Sequence, residues 1–149
     1  MTNVQDNTGT FQPLGNTDRR LAGTTALLAC GLMPDEQARL RGALVTANLA
    51  YLPLIGVAED AADASLRELA ARPPGIATLG DPALPRAVIL SGLREHELHR
   101  VMGCYRAAKL PSALWASVTP VTETWPLRQL LTELGRERAA LGDAVRMAG

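Results

Sequence analysis

Few residues of this 149-residue chain could do chemistry, and only two of them are histidines. His96 and His99 stand in "REHELHR" beside Glu95 and Glu97, a set that could ligate a metal. A zincin helix places its histidines at i and i+4 with a glutamate as base, whereas these are at i and i+3. Neither has a counterpart elsewhere in the chain, and on a helical wheel both lie opposite the Leu98/Met102/Tyr105 stripe. They are read as solvated, and no metal and no cofactor is expected. Cys30 and Cys104 lie in different elements, so free buried thiols in a reducing, cytoplasmic setting are expected. Cys104 as a nucleophile would need a base and an electropositive, partly exposed site; mid-helix, it reads as a small packing residue. Glu36/Arg39 and Glu97/Arg100 recur at i, i+3 and could position a substrate acid, but such pairs are commonly helix-surface ion pairs worth a few tenths of a kcal/mol. No nucleophile–base pair emerges, so an enzyme is the third choice.

The elements that position these residues occur twice. Shifted by 61 positions, Ala26–Arg72 lies on Ala87–Glu133 without a gap, and twelve of the 47 pairs are identical. The matches include Gly31/Gly92, Glu36/Glu97, Arg39/Arg100, Gly42/Gly103 and Arg67/Arg128. Chance would give roughly four in a chain so rich in Ala and Leu. A tandem duplication is expected, with a diverged copy at 25–72.

Four divisions follow: a flexible or docking tail at 1–22, copy one at 23–74, a linker at 75–85 and copy two at 86–149. In copy one an apolar run at Thr24–Cys30 reads as a buried strand ending at Gly31. Pro34 opens a helix reaching about Asn48, with Asp35 and Glu36 in its first turn. Tyr51–Ala58 is the second strand, and "SLRE" at Ser65–Glu68 is a capping box opening a short helix. Copy two repeats this as strand Ala87–Ser91, helix Arg94–Lys109, strand Ala113–Thr119 and helix Pro126–Ala140, with fraying after Gly142.

The fold class expected is α/β, a tandem βαβα duplication sharing one helix-covered core. Strand–helix–strand units imply parallel pairing, and Pro53 cannot donate to a ladder, which puts its strand at an edge. The sheet order is therefore 2-1-1′-2′, with the copies related by a pseudo-two-fold, a fused pseudo-dimer. At 47% hydrophobic residues the chain can bury one shared core, whereas about 60 residues alone would be marginal.

The residues "VILSGL", "AAKLP", "WASVT" and "WPLRQLLTEL" resemble a bacterial domain of unknown function, number 3783, over residues 86–141. The likeness rests on Gly92-Leu93, Leu110-Pro111, Val118-Thr119 and Trp125. Copy one departs from it at Ala50, Ala58 and Ala64. The resemblance implies fold and bacterial origin, and no activity.

Two places could bind something. The carboxyl ends of open parallel strands commonly hold ligands, and in copy two these gather Ser91, Gly92, Glu97, Thr119 and Trp125; they could equally be turn residues, a first-turn acid and a strand end. Separately, Gly42 and Gly103 are mid-helix glycines pointing away from the expected core, each costing about 1 kcal/mol relative to Ala. Close approach of another backbone is the usual reason, giving an interface patch of His96, His99, Gly103 and Ala107, with Ala38, Gly42 and Thr46 in copy one. Fifteen basic and fifteen acidic residues cancel, and five aromatic residues are too few for a base-stacking platform, so nucleic acid is not expected. The uncharged stretch Gly42–Ala58 is too short for a membrane span. "RRLAGTTALLACG" imitates an export signal, but cleavage before Cys30 would remove the first strand. The leading expectation is a non-enzymatic interaction or assembly module with a protein partner or self-association; the alternative is a small-ligand-binding regulatory domain at the strand ends of copy two.

Overall fold

A computed structural model describes residues 19–75 and 84–148, with side chains to Ala139. Strand β1 is Ala26–Cys30, five residues all buried. Gly31 turns the chain at φ +70°; a Cβ there would lie 2.6 Å from the carbonyl oxygens of Leu84 and Pro85, so only glycine fits. Helix α1 is Pro34–Thr46, ended by Asn48 at φ +62°, a conformation Asn tolerates. Strand β2 is Leu54–Val57, followed by a 3₁₀ turn at Glu59–Ala61 and helix α2 at Leu66–Ala70. As expected, Ser65 and Glu68 form the capping box.

The second half repeats this order with β3 at Ala87–Ser91, α3 at Glu95–Ala107 and β4 at Leu114–Ser117. A 3₁₀ turn at Thr122–Thr124 then leads into α4, Leu127–Ala148. Gly92 and Lys109 take positive φ at the places matching Gly31 and Asn48.

The sheet order is β2-β1-β3-β4, the order read from the sequence. β1 and β2 are parallel, as are β3 and β4, while the central pair β1/β3 is antiparallel. At its middle Leu28 faces Ile89, the residue 61 positions on. The same offset recurs off the sheet. Ser65 bridges Pro126; Leu66 N bonds Trp125 O at 3.0 Å, and Leu127 N bonds Ala64 O at 3.0 Å.

Helices cover both faces. α1 and α3 close one over Leu27, Ala29, Val88 and Leu90. α2 and α4 close the other over Leu28, Cys30, Ala87 and Ile89. Strands β1 and β3 are wholly buried, whereas β4 is only half-buried along its length.

Three expectations change. The strands are shorter, β2 starting at Leu54 rather than Tyr51 and β4 running only from Leu114 to Ser117. α4 does not stop near Ala140 but runs to Ala148 through Gly142; no proline interrupts it, and Ala, Arg and Leu are strong helix formers. Residues Arg19–Ala22, read as part of the tail, lie along the start of α3, with Leu21 N on Leu93 O at 2.7 Å and Glu95 N on Arg19 O at 3.1 Å. The rest of that tail and linker residues 76–83 fall outside the described residues.

Candidate functional site

Side by side on one face, α1 and α3 form a groove of about 510 Å³ lined by Ala43, Thr46, Ala47, Arg100, Gly103, Cys104 and Ala107. Small side chains line nearly all of it, which is why the two helices leave a trough between them. A Cβ on Gly42 or Gly103 would meet nothing within 4 Å, so no part of the described chain needs glycine at either position. Ala38, Gly42, Thr46 and Ala107 are exposed, as are His96 and His99. Val45 beside them is 53% exposed. The structure thus brings Gly103 and Ala107 together at the groove, with Gly42 on the same helix as its α1 wall. His96 and His99 lie nearer the start of α3.

The arginines expected to pair along their own helices reach across instead. Arg39 donates to Ala108 O at 2.7 Å, at the end of α3. Arg100 donates to Ala47 O, at the end of α1. Each caps a carbonyl that its neighbour's helix leaves unpaired, at the negative end of the dipole. On the groove floor the Cys104 thiol donates to Ala43 O at 3.6 Å, again a pair 61 positions apart.

Glu36 and Glu97 are buried N3 residues that accept from the backbone N–H opening their helices, Met33 and Arg94, each at 2.8 Å. Burial works to raise the Glu36 carboxyl, but the Met33 amide and the Arg86 guanidinium at 3.0 Å, with Arg39 nearby, hold it below the ordinary range. Burial likewise opposes ionisation of Glu97; the Arg94 amide, the Tyr51 hydroxyl, and the charges of His96 and Arg94 outweigh it. Sequence alone missed Arg86 and Tyr51 as partners. At the 61-residue offset their positions align with Thr25 and Ser112, so that comparison offered no signal, and both contacts depend on tertiary packing.

The strand ends are arranged differently from the single edge of a parallel sheet. Because β1 and β3 are antiparallel, Ser91, Gly92 and Thr119 lie at one end of the sheet, and Cys30, Gly31 and Ala58 at the other. Ser91 is 1% exposed, beneath Gly23, whose φ of +101° and missing Cβ admit the serine hydroxyl. The Gly92 amide donates to Ala22 O at 2.9 Å, and Thr25 Oγ1 donates to Gly92 O at 3.2 Å. Residues 20–25 therefore strap the carboxyl end of β3, and the N-cap amide of α3 is taken by Glu97. Thr119 is exposed in a turn with Thr122, Oγ1 to Oγ1 3.1 Å. Trp125 packs half-buried against the α2/α4 core. Of the five predicted ligand residues, Ser91 and Gly92 are adjacent, and Glu97 heads the following helix. Thr119 and Trp125 flank the turn after β4.

Both cysteines are free and buried. Burial pushes the Cys30 thiol up to about 12 and raises Cys104 as well, against the opposing charge of Arg100. Neither is poised as a nucleophile. Among the described residues no cluster of His, Cys, Asp or Glu could hold a metal ion, and no helix is long and apolar enough to cross a membrane.

No curated protein and no solved structure matches the chain. A family model does: it covers Arg86 to Leu141, from the residue before β3 into α4. That span carries Gly92-Leu93, Leu110-Pro111 and Trp125, and residues 86–141 match the family described as Domain of unknown function (DUF3783).

Proposed function

We propose that the chain is a non-enzymatic interaction or assembly module, a tandem duplication folded as a fused pseudo-dimer. A two-fold axis must bring each residue on it against its own equivalent. Leu28/Ile89, Ser65/Pro126 and Ala43/Cys104 are such pairs, all 61 positions apart. The exchanged bonds of Arg39 and Arg100 fit the same axis. These supports make the duplication the simplest origin for the sheet order.

The observation that carries the interaction reading is the pair of outward glycines. Gly42 and Gly103 weaken their helices, and no described atom approaches close enough to need them. The groove beside Gly103 suits the backbone of a partner helix, which small residues let come close. Sedimentation velocity over a concentration series tests this with Gly103→Leu. The variant should associate at least tenfold more weakly than the unmodified chain; identical sedimentation would remove the α1/α3 face from consideration. A small-ligand site at the ends of β3 and β4 is the weaker reading, because residues 20–25 would first have to leave Ser91 and Gly92.

A further inference from the structure

The two edges of the sheet are not equivalent. In a strand, N–H and C=O of alternate residues point to opposite sides. On β2, Pro53 O accepts from Leu27 N, so Leu54 and Gly56 point outward. Gly75 covers them: its N–H donates to Leu54 O at 3.0 Å, and its carbonyl accepts from Gly56 N at 2.8 Å. On β4, Leu114 N and Val118 N donate inward to Arg86 O and Leu90 O. Trp115 and Ser117 therefore point outward, at the places matching Leu54 and Gly56. The position matching Gly75 is Arg136, which is inside α4 and cannot turn back to cover them. Replacing a short helix by a long one leaves β4, among the described residues, without the cap that β2 has.

We propose that β4 pairs with β4 of a second copy of this chain, antiparallel about a two-fold through Ala116. Trp115 then lies opposite the partner's Ser117, and Ser117 opposite the partner's Trp115, making four backbone hydrogen bonds. Three observations select a second copy. Gly75 blocks the other edge, so head-to-tail growth through β2 is closed and only the self-complementary arrangement remains. Residues 110–122 contain no charged side chain, so two copies oppose no like charges, and β4 itself, Leu114–Ser117, carries neither a charged residue nor a proline of the kind that usually protects an edge. The central residue is Ala116, small enough for the close non-hydrogen-bonded pair of an antiparallel ladder. The half-exposed Leu114 and Trp115 gain cover in the same step.

Two measurements on the full chain test this. In the Gly103→Leu background, which weakens association through the α1/α3 face, sedimentation should give twice the 15.8 kDa chain mass, and adding Ser117→Pro, which removes an outward donor and leaves the β3 ladder intact, should restore a single chain mass. Amide exchange of the unmodified chain should slow at Trp115 and Ser117 by tenfold or more as concentration rises through the dimer transition. Fast exchange at every concentration would overturn the proposal, since the edge would then be open. Slow exchange in the monomer would overturn it too, since the chain's own residues, such as 1–18, would be the cover. Gly103→Leu leaves these two amides unchanged, so failure here and failure of the α1/α3 face are read separately.

Discussion

Arg39 on α1 donates to the carbonyl of Ala108 at the end of α3, 2.7 Å away. Arg100 on α3 returns the bond to Ala47 at the end of α1. The two antiparallel helices thereby cap each other's carboxyl ends, and the groove lies between the two caps. Because the bonds are equivalent, Arg39→Met and Arg100→Met should cost similar amounts, about 1 kcal/mol each for exposed charge-assisted bonds. Urea denaturation of the two variants measures this. Loss confined to one of them would break the equivalence.

Glycines matched at the 61-residue offset should divide by location, not by half of the chain. Gly31→Ala and Gly92→Ala force a Cβ into backbone atoms at positive φ and should each cost about 2 kcal/mol or more. Gly42→Ala and Gly103→Ala meet open space within regular helix and should each stabilise the chain by about 0.5–1 kcal/mol. Thermal denaturation of the four variants shows whether the signs separate.

The thiols should react in order. Cys30, closing a central strand and with its thiol pushed up to about 12, should label only at the rate of global unfolding. Cys104 borders the groove and is 6% exposed, so it should label faster from the native state at pH 8. Following labelling by mass spectrometry on the Cys104→Ala and Cys30→Ala variants distinguishes the two sites.

Acid should destabilise the chain through Glu36 and Glu97. Both carboxyls titrate below their ordinary value of 4.5 when folded, so in that window the unfolded chain binds more protons. Their contribution is complete above pH 4.5 and is lost as pH falls through the lower folded values. The Glu36→Gln/Glu97→Gln variant should be less stable than the unmodified chain at pH 7 and should lose less on going to pH 3. Equal slopes in chemical denaturation between pH 5 and 3 would show that neither group is linked to folding.

Much of this architecture was legible because local signals agreed with one another. The apolar runs ending at Gly31 and Gly92 marked β1 and β3, Pro53 marked the edge strand, and the 61-residue offset gave the strand order. Outward Gly42 and Gly103 followed from helical periodicity. What the sequence could not carry were contacts made by the turns of the folded chain. Residues 20–25 strap β3, and Arg86 and Tyr51 reach Glu36 and Glu97 from other elements. The i, i+3 spacing of Glu36/Arg39 and Glu97/Arg100 pointed to ion pairs along one helix. Packing α1 against α3 placed unpaired carbonyls within reach of both arginines instead.

The relation of the two halves is tested most directly by the second half alone. Residues 84–149, carrying Ser117→Pro so that the outer edge cannot pair, should sediment at twice their own mass. The Ile89 amide should be protected in a β3–β3′ pair that replaces β1–β3. A folded monomer, or a chain that stays unfolded across the concentration range, would contradict the pseudo-dimer.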